Sequence, residues 1–253
     1  MKTLFVGQNS IHLKLIDSTN SYASELLKET KPPEGTLIYT FEQKNGKGQR
    51  GNKWQSEPNK NGAFSFLLYP VFLRAEEQFL LTKIASLAVY DLMSVLLADT
   101  DKMREIRIKW PNDIYVGSRK IAGILIENTL REKNIQNSIV GIGANINQTV
   151  FEPGLNAVSV VQLTGKEFEL KSVTEKLCEF LEARYLQLKS GKLGLIHAQY
   201  LQRLFRFDEW HSYASADGVF EGKIKGVSEL GRLRVELENA VIAEFDLKQI
   251  QFL

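Results

Sequence analysis

Ile11, Leu13 and Leu15 alternate with His12 and Lys14, a period-two pattern that predicts a strand over Ile11–Ile16. Asp17-Ser18-Thr19-Asn20 follows, and Tyr22, Ala23, Leu26 and Leu27 then recur at helical spacing, so Ser18, Thr19 or Asn20 is a helix N-cap. The N–H groups of such a first turn are equally open to a ligand. Lys31-Pro32-Pro33-Glu34-Gly35 reads as a turn, Thr36–Phe41 as a strand, Ser56–Gly62 as a second turn and Ala63–Tyr69 as a buried strand. Glu76–Asp99 is the longest helical pattern, with apolar residues over most of its circumference. Ile106–Glu127 predicts two strands meeting at Gly117-Ser118, and Ser138–Asn147 a strand of small residues ending in two amides. Ser172-Val173-Thr174-Glu175 has the form of a capping box, with Val173, Leu177, Leu181 and Leu188 on one face after it and Gly191 at the far end. A further helix covers about Leu193–Phe205. After Trp210 the helical period vanishes, and Val219–Lys225, Leu233–Leu237 and Val241–Phe245 predict a small all-β barrel.

Composition narrows this picture by exclusion. A chain of 253 residues suits one large domain with a small appendage, and 43% hydrophobic with 25% charged residues is ordinary for a globular protein. A net charge of +2 provides no field for coating nucleic acid or an anionic membrane, so any anion must be held by a local cluster. Lys83 and Asp91 interrupt the long helix, which favours a buried core helix over a membrane span. The single cysteine, Cys178, excludes an internal disulfide and lies in a helical pattern as core filler, in keeping with a reducing compartment. The N-terminal segment lacks the apolar run of a signal peptide, and the expectation is a cytoplasmic protein.

The densest cationic cluster is the stretch Phe41–Trp54, which holds Lys44, Lys47, Arg50 and Lys53, a G-x-G-x-x-G spacing at Gly46, Gly48 and Gly51, and Trp54 at its end. Glycines bring backbone close to a ligand, and the cations supply donors, so this is a loop suited to closing over an anion. It joins strand to strand. A dinucleotide fingerprint opens a helix instead, and the partner motifs of a protein kinase are absent. Two further clusters stand out. In Lys109-Trp110-Pro111-Asn112-Asp113, Lys109 points away from the face of Ile106 and Ile108, and Pro111 ends regular pairing. In Gly141-Ile142-Gly143-Ala144-Asn145, the glycines mark close approach, and Asn145 can either read a base edge or form a turn.

In this order, Ser18-Thr19-Asn20, Gln43, the glycine loop to Trp54, Lys109–Asp113, Lys120-Ile121-Ala122-Gly123-Ile124-Leu125 and Gly141–Asn147 together resemble biotin protein ligases (biotin–acetyl-CoA-carboxylase ligases), of the type without an N-terminal DNA-binding domain. The resemblance covers nearly the whole chain. It implies an α+β fold: a mixed sheet packed with helices, like class II synthetases, over 1–208 and a small SH3-like β-barrel over 209–253. It also implies two half-reactions, in which biotin and Mg-ATP give biotinyl-5′-AMP and a carrier-protein lysine then takes the biotinyl group. By analogy biotin would contact Ser18, Thr19, Asn20, Gln43, Gly46, Lys47, Gly48, Arg50, Trp54, Lys109, Gly123 and Ile124. ATP would meet Arg50, Gly51, Asn52, Trp54, Lys109, Asn112 and Asn145, with Lys109 and Arg50 as the catalytic cations and Mg²⁺ carried by the substrate phosphates. The partner would be biotin carboxyl carrier protein of acetyl-CoA carboxylase, or another biotin-dependent carboxylase domain, with no nucleic acid or membrane; a homodimer is the family expectation.

The loop departs from the family's usual G-R-G-R-x-G-R-x-W. Lys47, Gln49 and Asn52 stand where arginines are usual, which leaves Arg50 as its one guanidinium, aided by Lys47, to hold the phosphate. Lipoate or octanoate ligases and transferases share the implied fold and form the competing reading. A nucleic-acid binder using Trp54 and Trp110 as stacking aromatics is disfavoured by the near-neutral charge.

Overall fold

The structure, a computed structural model, describes residues 2–253, except for the side chain of Arg50. In chain order the N-terminal part contributes strands β1 (Ser10–His12), β2 (Leu37–Thr40), β3 (Gly46–Lys47), β4 (Lys53–Trp54), β5 (Gly62–Leu68), β6 (Ile106–Lys109), β7 (Asp113–Val116), β8 (Arg119–Arg131) and β9 (Asn134–Ala144). Its helices are α1 (Thr19–Glu29), α2 (Phe79–Leu96), α3 (Val160–Thr164), α4 (Leu170–Lys189) and α5 (Leu193–Gln202). Seven strands form a mixed sheet in the order β1-β2-β5-β9-β8-β7-β6, with only β1 and β2 parallel among the described pairs. Alternation along the strands gives the sheet two apolar faces. Ile38, Leu67 and Ile139 meet Ala23 of α1 on one, while Leu37, Phe66 and Leu68 join the main core under α2 and α4 on the other.

Local chemistry sets several boundaries that periodicity misplaces. β1 is shorter than the alternation predicts: it is an edge strand, and beyond it Leu15 is exposed. α2 begins at Phe79 because Ala75–Glu77 forms a separate 3-10 turn, closed by the Glu77 carboxylate accepting from the Arg74 backbone N–H at 2.8 Å. The expected capping box at Ser172 does not start a helix. α4 already begins at Leu170, and the Ser172 hydroxyl donates to Glu169 Oε2 at 2.6 Å; the true box is at Ser159 and Gln162, ahead of α3. The region Ile106–Glu127 holds three strands, because the turn through the cis Trp110–Pro111 peptide folds β6 back on β7.

Residues after 208 form a separate antiparallel sheet of β10 (Trp210–Ser215), β11 (Gly218–Val227), β12 (Leu233–Leu237), β13 (Ile242–Phe245) and β14 (Gln251–Phe252), ordered β13-β12-β11-β10-β14. Three of these strands are legible from the sequence. β10 and β14 lack its alternation. Among the described pairings the ladder is open at β13 and β14.

Residues Ala75–Leu96 are apolar and long enough to cross a membrane, yet their apolar residues fill the core. Lys83 is buried with them, its Nζ 2.8 Å from His197 Nδ1, facing the Phe79 and Tyr200 rings at 5.6 and 5.7 Å. Desolvation lowers its pKa from 10.5 to about 8, with Glu229 opposing. Between those values the unfolded chain binds the extra proton, so this group adds stability as pH rises through the window and costs most below it. Lys83→Met is therefore expected to raise Tm at pH 7 by about 2–4 °C, an advantage that shrinks as melts are repeated from pH 8 to 10. A variant that melts below the parent at pH 7 would show that the burial is already offset.

Candidate active site

The main sheet carries a trough on its α1 face. Gly123 pairs with Gly143, and Leu125 with Gly141, in the β8–β9 ladder, so three floor positions have no side chain. Other residues lie directly on that bare backbone. A methyl group at Gly141 would run into the Asn20 amide, one at Gly143 into the Trp54 indole, and one at Gly123 would stand 3.0 Å from Lys120 Nζ and 3.3 Å from Trp54. Ser18, Thr19 and Asn20 close one end, Asn112 and Lys120 stand at the other, and Gln43, Lys47, Gly48, Trp54 and Ile124 complete the lining.

The α1 end is a fixed polar network. Ser18 is the N-cap, accepting from Ser21 N at 3.4 Å, so the segment both caps the helix and lines the trough. Gln43 Oε1 accepts from Thr19 N at 2.9 Å. The Ser65 hydroxyl lies 2.8 Å from Thr19 Oγ1 and 2.6 Å from Asn20 Oδ1, while Asn20 Nδ2 donates to Glu127 Oε2 at 2.7 Å. Ser18, Thr19, Asn20 and Ser65 are buried and Gln43 half-buried, and their mutual hydrogen bonds preorganise them for a ligand that both donates and accepts.

At the other end Lys120 lines the trough, and the expected Lys109 lines the cleft beside it. Ile114 pairs with Ala122 but Tyr115 with Lys120, so Ile121 is the extra residue of a β-bulge. The bulge shifts the alternation by one and lays Lys120 on the Gly123 face, where its Nζ is 2.7 Å from Asp113 Oδ1 and 5.7 Å from the Trp54 ring. Lys109 lines a neighbouring cleft, bounded by the β3–β4 hairpin and the C-terminal sheet. There its Nζ is 4.7 Å from the Tyr115 ring and 5.0 Å from that of Phe252. Burial lowers the Lys109 pKa against the pull of Asp113, and burial raises that of the Tyr115 phenol to about 12. The two clefts share Gly48, Gln49, Trp54, Asn112 and Lys120.

A family model described as the biotin/lipoate A/B protein ligase family matches residues 12–145, more than half of the chain. The chain belongs to this ligase family. The bifunctional ligase/repressor BirA of Bacillus spizizenii is 30% identical over 257 residues, spanning 95% of this chain and 73% of that protein. The biotin–[acetyl-CoA-carboxylase] ligase of Paracoccus denitrificans is 31% identical over 218 residues, 81% of this chain and 87% of that one. A solved structure, biotin protein ligase from Aquifex aeolicus in complex with biotin and ATP, matches with a TM-score of 0.78 at 28% identity, covering 96% of this chain and 98% of that one.

The ligase-family glycine loop is a folded hairpin in this chain. β3 pairs with β4, Gly48 N donates to Asn52 O at 2.7 Å, and Gln49–Gly51 makes a 3-10 turn that ends at a left-handed Gly51, φ +87°. Lys47 and Gly48 line the trough; Gly46 and Gly51 line a third cleft with Leu125 and Glu127 of β8, and Asn52 borders the second cleft as well. The Arg50 side chain, expected to hold the phosphate, lies outside the described residues. Asn112 Nδ2 donates to Ile124 O at 2.6 Å, which pins the β6–β7 turn to the trough wall. Asn145 lines neither cleft: it is buried, with Nδ2 donating to Val158 O at 3.2 Å, the turn-forming role. Among the described residues no group of three or more His, Cys, Asp or Glu could hold a metal ion.

Proposed function

We propose that the chain is a biotin ligase that joins biotin to ATP as biotinyl-5′-AMP, releasing pyrophosphate, and then passes the biotinyl group to a lysine of a carrier domain, releasing AMP. The observation that carries this reading is the glycine-floored trough, with fixed hydroxyls and amides at one end and a lysine at the other. The ureido head of biotin has paired N–H donors and a carbonyl acceptor, which suit Ser18, Thr19, Asn20 and Gln43. Bare backbone at Gly123 and Gly143 lets the acyl chain lie flat toward Lys120.

In the first step a carboxylate oxygen attacks the α-phosphorus and the bond to pyrophosphate breaks. Two anions must meet. Lys120, held by Asp113, places a fixed cation where negative charge gathers, and Mg²⁺ arrives with ATP as substrate. Lys109, in register with Asp113 and lining the adjoining cleft, is the second cation for this charge, in the role that the resemblance assigned to it. The indole of Trp54 and the hairpin cover the trough and keep water from the mixed anhydride. In the second step a carrier lysine amine attacks the acyl carbonyl directly. The one cysteine is no nucleophile, because burial raises the Cys178 thiol pKa to about 12. The relatives named for acetyl-CoA carboxylase favour its biotin carrier domain as acceptor and disfavour a lipoyl substrate. A free buried thiol suits a reducing, cytoplasmic setting.

One assay tests the reading. With ATP and biotin the protein is expected to release pyrophosphate and label a biotin carrier domain, and with ATP and lipoate to do neither. Pyrophosphate release independent of biotin, or transfer of lipoate alone, would overturn it.

A further inference from the structure

Two residues that do not line the trough, Ser65 on β5 and Glu127 on β8, hold its α1 end through Asn20. Glu127 is exposed, and its Oε2 accepts from Asn20 Nδ2 at 2.7 Å; the Leu125 carbonyl accepts from the same nitrogen at 3.3 Å. Two acceptors on one side fix the amide, because turned over it would set its own oxygen against both. The amide lies on the bare backbone of Gly141, where a methyl group would strike it. Asn20 Oδ1 therefore faces the fully buried Ser65, whose hydroxyl oxygen is 2.6 Å away.

Ser65 has one proton to give and two oxygens in reach. Asn20 Oδ1 carries no proton, so that contact takes the one from Ser65. The 2.8 Å contact between Ser65 and Thr19 is then made by the Thr19 hydroxyl donating to Ser65 Oγ. The competing acceptor for the Thr19 proton, Gln43 Oε1, is farther, at 3.4 Å, and already accepts from Thr19 N. The Thr19 hydroxyl thus directs its proton inward and its lone pairs toward the trough that it lines.

We infer that Glu127 and Ser65 are specificity-determining positioning residues: through the Asn20 amide they set the direction of the hydrogen-bond chain, so that Thr19 meets the ligand head as an acceptor and selects a ring N–H over a ring acceptor atom. The inference rests on the biotin-ligase reading. It gives the exposed carboxylate of Glu127 a part in ligand choice without any contact with the ligand.

The test measures equilibrium Kd for biotin and for its two cyclic-carbamate analogues, each with a different ureido N–H replaced by a ring oxygen, in the parent, Ser65→Ala, Glu127→Leu and Glu127→Gln. In the parent each analogue is expected to bind about tenfold or more weaker than biotin. In Ser65→Ala and Glu127→Leu the loss for one analogue is expected to shrink to about threefold while that for the other stays. Glu127→Gln keeps an acceptor for the Asn20 amide and is expected to keep the parental ratios. Adenylation at saturating biotin is expected within about twofold of the parent in all three variants. If Ser65→Ala does not fold, Glu127→Leu, at an exposed position, carries the comparison. Parental ratios in either variant, or an equal weakening of all three ligands as a merely structural role would give, would overturn the inference alone. A parent protein that binds neither biotin nor the analogues would overturn the ligase reading, and this inference with it.

Discussion

Replacing Lys120 by methionine is expected to lower the rate of adenylate formation about 10²–10³-fold, the size found when one preorganised electrostatic contact to a developing charge is removed. Methionine keeps the unbranched stem over Gly123 and removes only the ammonium, so the trough stays open and biotin is expected to bind within a fewfold of the parent. Asp113 would then be left without its cation at 2.7 Å, which adds to the repulsion between carboxylate and phosphate. Pyrophosphate release in a single turnover measures the loss. A Lys120→Met enzyme within tenfold of the parent would remove Lys120 from the chemistry.

Gly143→Ala is the second large effect. Gly143 has ordinary strand geometry, and alanine adopts it without backbone strain. The added methyl instead meets the Trp54 indole on the trough floor. Overpacking a close contact costs about 1–3 kcal/mol, and here it falls on the ligand seat, so biotin Kd is expected to rise about 10–100-fold with Tm nearly unchanged. Adding Trp54→Ala should return part of the affinity, because it removes the group the methyl strikes. Unchanged biotin Kd in Gly143→Ala, measured by equilibrium titration, would mean that the acyl chain does not lie along this floor.

Much of this was legible in the sequence. Ile38, Leu67 and Ile139 fall where strand alternation puts them, Ser18-Thr19-Asn20 both cap and line, and Gly123, Gly141 and Gly143 mark a close approach. What the sequence hides is the sense in which side chains face. Lys109 stands in a conspicuous polar cluster, and simple alternation does aim it away from Ile106 and Ile108, but that face looks onto Phe252, some 140 positions later. Lys120 lies in a plain β pattern, and only the register against Tyr115 shows it turned toward Gly123. The Ser172 box failed for a related reason. Phe168 N donates to Asn147 Oδ1 at 2.9 Å, a long-range bond that fixes the chain just ahead of α4, where a local motif cannot report it. Asn145 had two readings open, and its hydrogen bond to Val158 O accounts for the turn-forming one.

The bulge at Ile121 also bears on how this chain can vary. Residue 121 is fully buried, and a change of its type would disturb the core by a methyl group or two. A change in strand pairing would be different in kind. One further residue in β7 opposite Ile121 would close the bulge into regular pairing. Every motif residue would survive, yet Lys120 would turn to the α2 side of the sheet and leave the trough without its cation, whereas deletion of Ile121 would leave Lys120 opposite Tyr115 on the Gly123 face. The aim of the reactive charge is thus written in which residues of β7 and β8 face one another rather than in the type of the residue between them.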